Sequence, residues 1–228
     1  MPPGVETVCV RLFAALLLPS TVVDWLTSTV DAARAASAAA GPADGPHLRW
    51  VSPDQWHVTV TFFGDVGDGR SADLQTRLTR AASRTPTLDL VLAAPGRFGS
   101  ARRTRVLWEG LDGDTAALRS LAASCRAAGR RAGVQADGLA ADARYRPHIT
   151  LARVAPPGDV TAMSAALDDA VTGASTAGGP PAWRADELVL VRSDLGAGPK
   201  GRARHTVLSR FPLGPPPPPA TGRAADVR

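Results

Sequence analysis

The 228-residue chain contains one lysine, one tyrosine, two methionines, two cysteines and four histidines. Each scarcity narrows the field. Two cysteines cannot build a disulfide framework, and neither Cys9 nor Cys125 has a cysteine or histidine at zinc-like spacing. Both read as buried free thiols of a reducing compartment. The apolar run at residues 12–18 is far shorter than the roughly 20 residues of a membrane helix, and no small-residue cleavage pattern marks it as a signal peptide. The expected location is therefore cytoplasmic, with no membrane partner. The net charge of +5 rests on arginine, Lys200 being the single lysine. Guanidinium forks match phosphate geometry, which admits an anionic partner without specifying one.

What the chain does contain is one short pattern twice. Residues 56–60 read Trp-His-Val-Thr-Val and residues 147–151 read Pro-His-Ile-Thr-Leu. In an extended strand, residues two apart share a face, so His57 and Thr59 point one way while Val58 and Val60 anchor the strand in a core. His148 and Thr150 repeat that arrangement over Ile149 and Leu151. A lone strand histidine is usually a hydrogen-bonded structural residue, but two of four histidines in one pattern call for a common explanation.

The surroundings repeat as well. A buried strand is expected at 8–17, then a helix at 21–39 started by Pro19 and Ser20, a Gly/Pro loop at 41–46 and a short extended piece at 49–51. The motif strand 56–63 ends at Gly64, a helix runs from about 68 to 83, and a strand at 88–92 is broken by Pro95 and Gly96. Residues 97–105 read as a basic surface loop. The order then recurs with a strand at 106–111, a helix at 114–128 and the second motif strand. Residues 187–196 answer 88–99, and a last strand covers 205–213. The offset of 91 between the histidines (148 − 57) is close to that of 95 between Leu107 and Leu12 (107 − 12). The chain thus reads as an internal duplication, about 8–99 and 106–196, within one domain of residues 1–213. The proline-rich end, 214–228, cannot bury a core and is expected to be disordered.

Two equivalent strands would set two imidazoles face to face across a cleft. Imidazole titrates near neutral pH, so one ring can act as base while the other acts as acid, as in-line displacement at phosphorus requires. The threonine hydroxyls beside them suit non-bridging phosphate oxygens. Metal chemistry is the competing use of paired histidines, but the motifs bring threonine, a poor zinc ligand. Arg97, Phe98, Arg102, Arg103 and Arg105 could contact an anionic partner through its phosphates or simply be solvated, and His47 reads as a surface residue.

The blocks Arg49-Trp50-Val51, His57 through Gly64, Arg97-Phe98-Gly99, Arg105 through Trp108 and Arg146 through Arg153 resemble the two-histidine phosphoesterase superfamily. More narrowly they resemble RNA 2′,3′-cyclic phosphodiesterases, historically called 2′-5′ RNA ligases. The resemblance covers roughly residues 8–213. It implies an α+β, bilobal, pseudo-symmetric fold of two facing antiparallel sheets with outer helices, one His-x-Thr motif from each repeat lining the cleft, and no metal or cofactor. It further implies that His57 donates a proton to the departing 3′ oxygen while His148 accepts one from water, leaving a 2′-phosphate. Thr59 and Thr150 would hold the phosphate.

Relatives also keep an arginine at the place of Arg153, although simple alternation from His148 turns it away from the cleft unless the strand bulges. The same alternation puts Thr61, where relatives often carry lysine, and Phe63 on the cleft face with His57. His205 stands where relatives commonly carry tyrosine. The expected partner is RNA with a 2′,3′-cyclic phosphate end, or a cyclic nucleotide, met by a monomer. The residues leave open an RNA-end-binding protein without turnover, a 2′-5′ phosphodiesterase or ligase using the same site, and a duplicated domain whose histidines are structural.

Overall fold

The computed structural model describes residues 9–39, 47–134, 145–176 and 178–214. The loop expected at 41–46 and nearly all of the proline-rich end lie outside the described residues. The chain order is β1 (Cys9–Leu17), α1 (Ser20–Ala39), β2 (Leu48–Trp50), β3 (His57–Gly67), α2 (Asp68–Ala82) and β4 (Leu88–Ser100). It continues with β5 (Arg103–Gly113), α3 (Thr115–Arg131), β6 (His148–Gly158), α4 (Thr161–Thr176), β7 (Ala182–Ala185), β8 (Glu187–Asp194) and β9 (Arg204–Pro212).

Strand order is pseudo-symmetric about the two motif strands. The sheet runs β7-β4-β5-β6-β3-β1-β8-β9, with β2 also on β6, and every reported pairing is antiparallel. Read outward from its centre, each half carries a motif strand and a leading strand of one repeat, then a strand contributed by the other: β8 beside β1, and β4 beside β5. The halves join at one register pair, Val58 with Ile149, whose side chains are fully buried. Helices pack across the repeats, α1 on α4 and α2 on α3. Each helix pair therefore takes one member from each repeat, and the main core lies between the helices and the sheet.

Three sequence expectations change. Gly64 does not end β3; it adopts φ 66 inside the strand, beside a bulge between the pairs Leu12–Gly64 and Phe13–Phe62. Residues 97–105 are not a loop, because β4 and β5 run on into a hairpin. A bulge at Ala93/Pro95 absorbs the proline, which cannot donate a ladder hydrogen bond, and Gly99 takes φ 102 near the tip. Cys9 is exposed at the start of β1, whereas Cys125 is buried as expected.

Register also corrects the alignment of the repeats. Gly110 lies opposite His148 as Leu17 lies opposite His57, and Leu107 opposite Ala152 as Ala14 opposite Thr61. The leading strands therefore correspond at an offset of 93 (110 − 17, and 107 − 14), two fewer than the sequence suggested. At that offset Glu109 occupies the place of Leu16. Its side chain is 1% exposed, and its Oε1 has no hydrogen-bond partner. Burial, with Asp168 of α4 adding like-charge repulsion, pushes its carboxyl up to about 8.

A carboxyl raised in the folded state binds more protons than in the unfolded chain between about pH 4.5 and 8. Stability is then progressively lost as pH rises through that window. Glu109→Gln should flatten the decline and add on the order of a few kcal/mol at pH 8 by this linkage. Denaturant unfolding of both proteins from pH 5 to 8 checks it; parallel curves would contradict the assignment.

Candidate active site

Both histidines are fixed in the same way. His57 Nδ1 lies 2.7 Å from the carbonyl oxygen of Gln55, and His148 Nδ1 lies 2.8 Å from that of Arg146, each two residues upstream. A carbonyl can only accept, so Nδ1 carries hydrogen in both rings and Nε2 is left for chemistry. His57 Nε2 meets the Thr59 hydroxyl at 3.0 Å. Continuing the register of the Val58–Ile149 pair by one residue sets His57 opposite Thr150 and Thr59 opposite His148. The four predicted residues thus form a quadrilateral on one face of the sheet, over two buried aliphatic anchors.

Beyond the threonines, both motif strands bulge. In β3, Thr59 faces Ala15 and Thr61 faces Ala14, so Val60 is the extra residue. In β6, Thr150 faces Trp108 and Ala152 faces Leu107, so Leu151 is extra. Each bulge inverts the alternation that follows it. Ala152 is consequently buried, and Arg153 turns onto the cleft face, exposed. Its charge acts on both His57 and His148.

The same inversion overturns the expectation for Thr61 and Phe63. Thr61 is 2% exposed, its hydroxyl donating to the Val60 and Ala122 carbonyls, and Phe63 is in the core. Phe62, 40% exposed, takes the cleft position instead. A lysine in place of Thr61 would have no cleft to enter in this register.

The two halves of the cleft differ in lining. Around His57 stand Phe13, stacked at 4.9 Å between ring centroids, and His205, edge-on at 5.5 Å, with Phe62 5.7 Å from Phe13. Phe13 belongs to a small apolar cluster with Ala15, Val189 and Val191. Around His148 stand Phe98, edge-on at 4.9 Å, and Trp108 at 6.1 Å, with the Arg146 guanidinium 5.3 Å from the Trp108 ring. Gly96, opposite Trp108, makes that placement feasible: a Cβ there would come 2.3 Å from the indole.

Sequence reading missed Phe13, Phe62 and Trp108. Phe62 needed the bulge, and the other two needed the repeat offset. His205, read from sequence only as a departure from the tyrosine of relatives, lies against both His57 and Phe13.

This lining lowers the histidines. Burial holds His57 down to about 4, with His205, His148 and Arg153 adding repulsion and the Gln55 hydrogen bond opposing. His148 is lowered too, by burial first and then by Arg153 and Arg146, against its bond to Arg146. His205 is lowered by burial, against the pull of Asp54. Among the described residues no cluster of three or more metal-ligating side chains occurs. Among them, too, no helix is long and apolar enough to cross a membrane.

A family model described as "2′-5′ RNA ligase superfamily" matches residues 23–197. A Geobacillus stearothermophilus protein named RNA 2′,3′-cyclic phosphodiesterase is 32% identical over 127 residues, 55% of this chain and 39% of that protein. An Aquifex aeolicus protein of the same name is 24% identical over 46% of this chain and 55% of its own length. The matched segments thus span between two fifths and just over half of those relatives. Among solved structures, Escherichia coli LigT complexed with ATP superposes with TM-score 0.62 at 25% identity, over 90% of this chain and 99% of that one. The Thermus thermophilus protein TT0787 does so with TM-score 0.63 at 27%, over 90% and 98%.

The electrostatics make a direct prediction. In the free protein the His57 ring should titrate near pH 4 and His148 below the ordinary imidazole range, as read from histidine NMR shifts. Because these folded values lie below the unfolded one, the stability they contribute is present above about pH 6.5 and lost as pH falls toward 4. A His57 ring titrating at 6.5 or above would show that the apolar bed does not desolvate it.

Proposed function

The chain belongs to the 2′-5′ RNA ligase superfamily, and from that premise we propose that it hydrolyses 2′,3′-cyclic phosphate ends of RNA or nucleotides to 2′-phosphates. The observation that carries this reading is the pair of imidazoles with Nδ1 anchored on a backbone carbonyl and Nε2 left free of the backbone, on the sheet face shared with Thr59 and Thr150, His57 Nε2 meeting the Thr59 hydroxyl. The names of the relatives and the ATP complex of LigT support a nucleotide ligand. In the proposed reaction His148 Nε2 accepts a proton from water as its oxygen attacks phosphorus. The bond from phosphorus to the 3′ oxygen breaks, and His57 Nε2 donates a proton to that oxygen. Thr59 and Thr150 donate hydrogen bonds to the non-bridging oxygens, and Arg153 supplies positive charge on the same face. Each positioned acid or base is worth roughly 10²- to 10⁴-fold in rate.

Burial leaves His57 the harder of the two rings to protonate in the free protein. The anionic phosphate itself is what makes His57 an effective donor, since negative charge between the rings offsets the repulsion among His57, His148, His205 and Arg153. The kcat/KM profile, which reports the free enzyme, should therefore be bell-shaped with its optimum below pH 6.5, the two limbs belonging to the coupled pair. An optimum at pH 7.5 or higher would contradict it.

Roles are separated by the leaving group. His57→Ala and His148→Ala should each lower turnover of adenosine 2′,3′-cyclic phosphate by at least about 10³-fold, within the range for a lost acid or base. On a p-nitrophenyl phosphodiester, whose leaving group needs no proton, His57→Ala should recover most of its rate and His148→Ala should not. The product of the cyclic nucleotide, identified by chromatography in the presence of a chelator, should be the 2′-phosphate. A 3′-phosphate, or recovery in the His148 variant instead, would reverse or refute the assignment.

A further inference from the structure

Arg49 is not part of the machinery described so far, yet its position is fixed by its neighbours. On β2 it pairs with Arg153 of β6, while Leu48 pairs with Val154 and Trp50 with Ala152. Val154 and Ala152 belong to the core, Leu48 and Trp50 pack partly buried against it, and Arg34 of α1 lies 5.6 Å over the Trp50 ring. Side chains directly opposite in a sheet share a face. Arg49 therefore projects with Arg153 onto the cleft face, in a row that continues through Val106 to Phe98.

Two guanidiniums in direct register are an unfavourable arrangement. Like charges opposite one another on adjacent strands destabilise a sheet. Neither Arg49 nor Arg153 is in an ion pair or hydrogen bond through its side chain among the described residues, and both are exposed. By contrast, Arg34, Arg77, Arg184, Arg192 and Arg210 all pair with carboxylates. The pair also exceeds what the scissile group needs. A cyclic phosphate diester carries one negative charge, and in the proposed reaction the threonine hydroxyls already serve its oxygens.

We infer that Arg49 and Arg153 form a second phosphate site, which holds the 5′ phosphate of the nucleotide that carries the cyclic phosphate. This rests on the reading of the cleft as a cyclic-phosphate site. Three residues of strand advance about 10 Å, less the bulge, so Arg153 stands one phosphate along from Thr150. The paired forks face that group with two charges where a mononucleoside cyclic phosphate offers none. The site selects ends bearing a phosphate on the 5′ side, whether an internucleotide phosphodiester or a terminal 5′-phosphate.

Three substrates test this: adenosine 2′,3′-cyclic phosphate, the same nucleotide bearing a 5′-phosphate, and the dinucleotide ApA ending in a 2′,3′-cyclic phosphate. Charge-assisted hydrogen bonds to one group predict that kcat/KM is about tenfold or more higher for the second and third than for the first. A preference confined to the dinucleotide assigns the site to the internucleotide linkage, and one shared by both assigns it to phosphate generally. In Arg49→Met, which keeps the apolar stem, that ratio should fall to within about twofold, and Arg49→Lys should restore part of it. The slope of log kcat/KM against log salt should also become shallower in Arg49→Met by about one.

Equal kcat/KM for all three substrates in the unmodified protein overturns the site, as does an unchanged ratio in a folded Arg49→Met. If no substrate is turned over, the proposed activity fails by itself. Calorimetric binding of adenosine 2′,5′-bisphosphate and adenosine 2′-phosphate then decides the phosphate site alone, and identical affinity ratios in the unmodified and Arg49→Met proteins overturn it.

Discussion

The register pair Val58–Ile149 is the contact on which the site depends. Among the described residues it is the one place where the sheet passes from one motif strand to the other, and both side chains are wholly buried. Because antiparallel partners share a face, fixing these two residues inward sends His57, Thr59, His148 and Thr150 outward together. A slip of one residue would send one His-x-Thr pair into the core. The two hydrogen bonds from Nδ1 to the carbonyls of Gln55 and Arg146 then set ring orientation, so the placement of both Nε2 atoms follows from backbone geometry.

The frame is pseudo-symmetric, and different residues at its equivalent positions make the cleft directional. Phe62 and Arg153 hold equivalent places after the two bulges, as do Phe13 and Val106, which pair with them. The first repeat therefore gives these positions to an aromatic pair, and the second to an aliphatic residue and a cation. Ala15 and Val189 in one half correspond to Trp108 and Gly96 in the other, so the bulk is divided differently between neighbouring strands. His57 lies in the drier half and His148 in the more cationic one, so two histidines in equivalent places meet different electrostatics.

Much of this was legible from the chain because the duplicated motif has period 2. Strand alternation alone put His57 with Thr59 and His148 with Thr150 on one face, and the succession of elements gave the repeat. What failed to read through were departures from that period. The bulges at Val60 and Leu151 have no glycine or proline to announce them, so Thr61 and Phe63 looked accessible and Arg153 looked hidden. Pro95 and Gly99 looked like a loop because both discourage strands, yet one sits at a bulge and the other near a hairpin tip where positive φ is needed. His205 stands where relatives carry tyrosine, and its contact with both Phe13 and His57 depends on β9 lying along β8, a long-range pairing that local pattern does not encode.

The electrostatic design has a cost that the fold absorbs in separate places. Two lowered histidines, a third beside them and a pair of facing arginines gather positive potential around a site that lacks a compensating carboxylate in direct contact among the described residues. Glu109, one strand away and paired in register with Ile149, faces the opposite side and stays protonated near neutral pH. Charge balance is therefore left to whatever enters the cleft. An anion that binds there relieves the repulsion among the imidazoles and guanidiniums and simultaneously raises the proton affinity of His57. Anion binding and protonation of His57 are then linked equilibria, since any group that lowers the free energy of the protonated ring is bound more tightly by it in return.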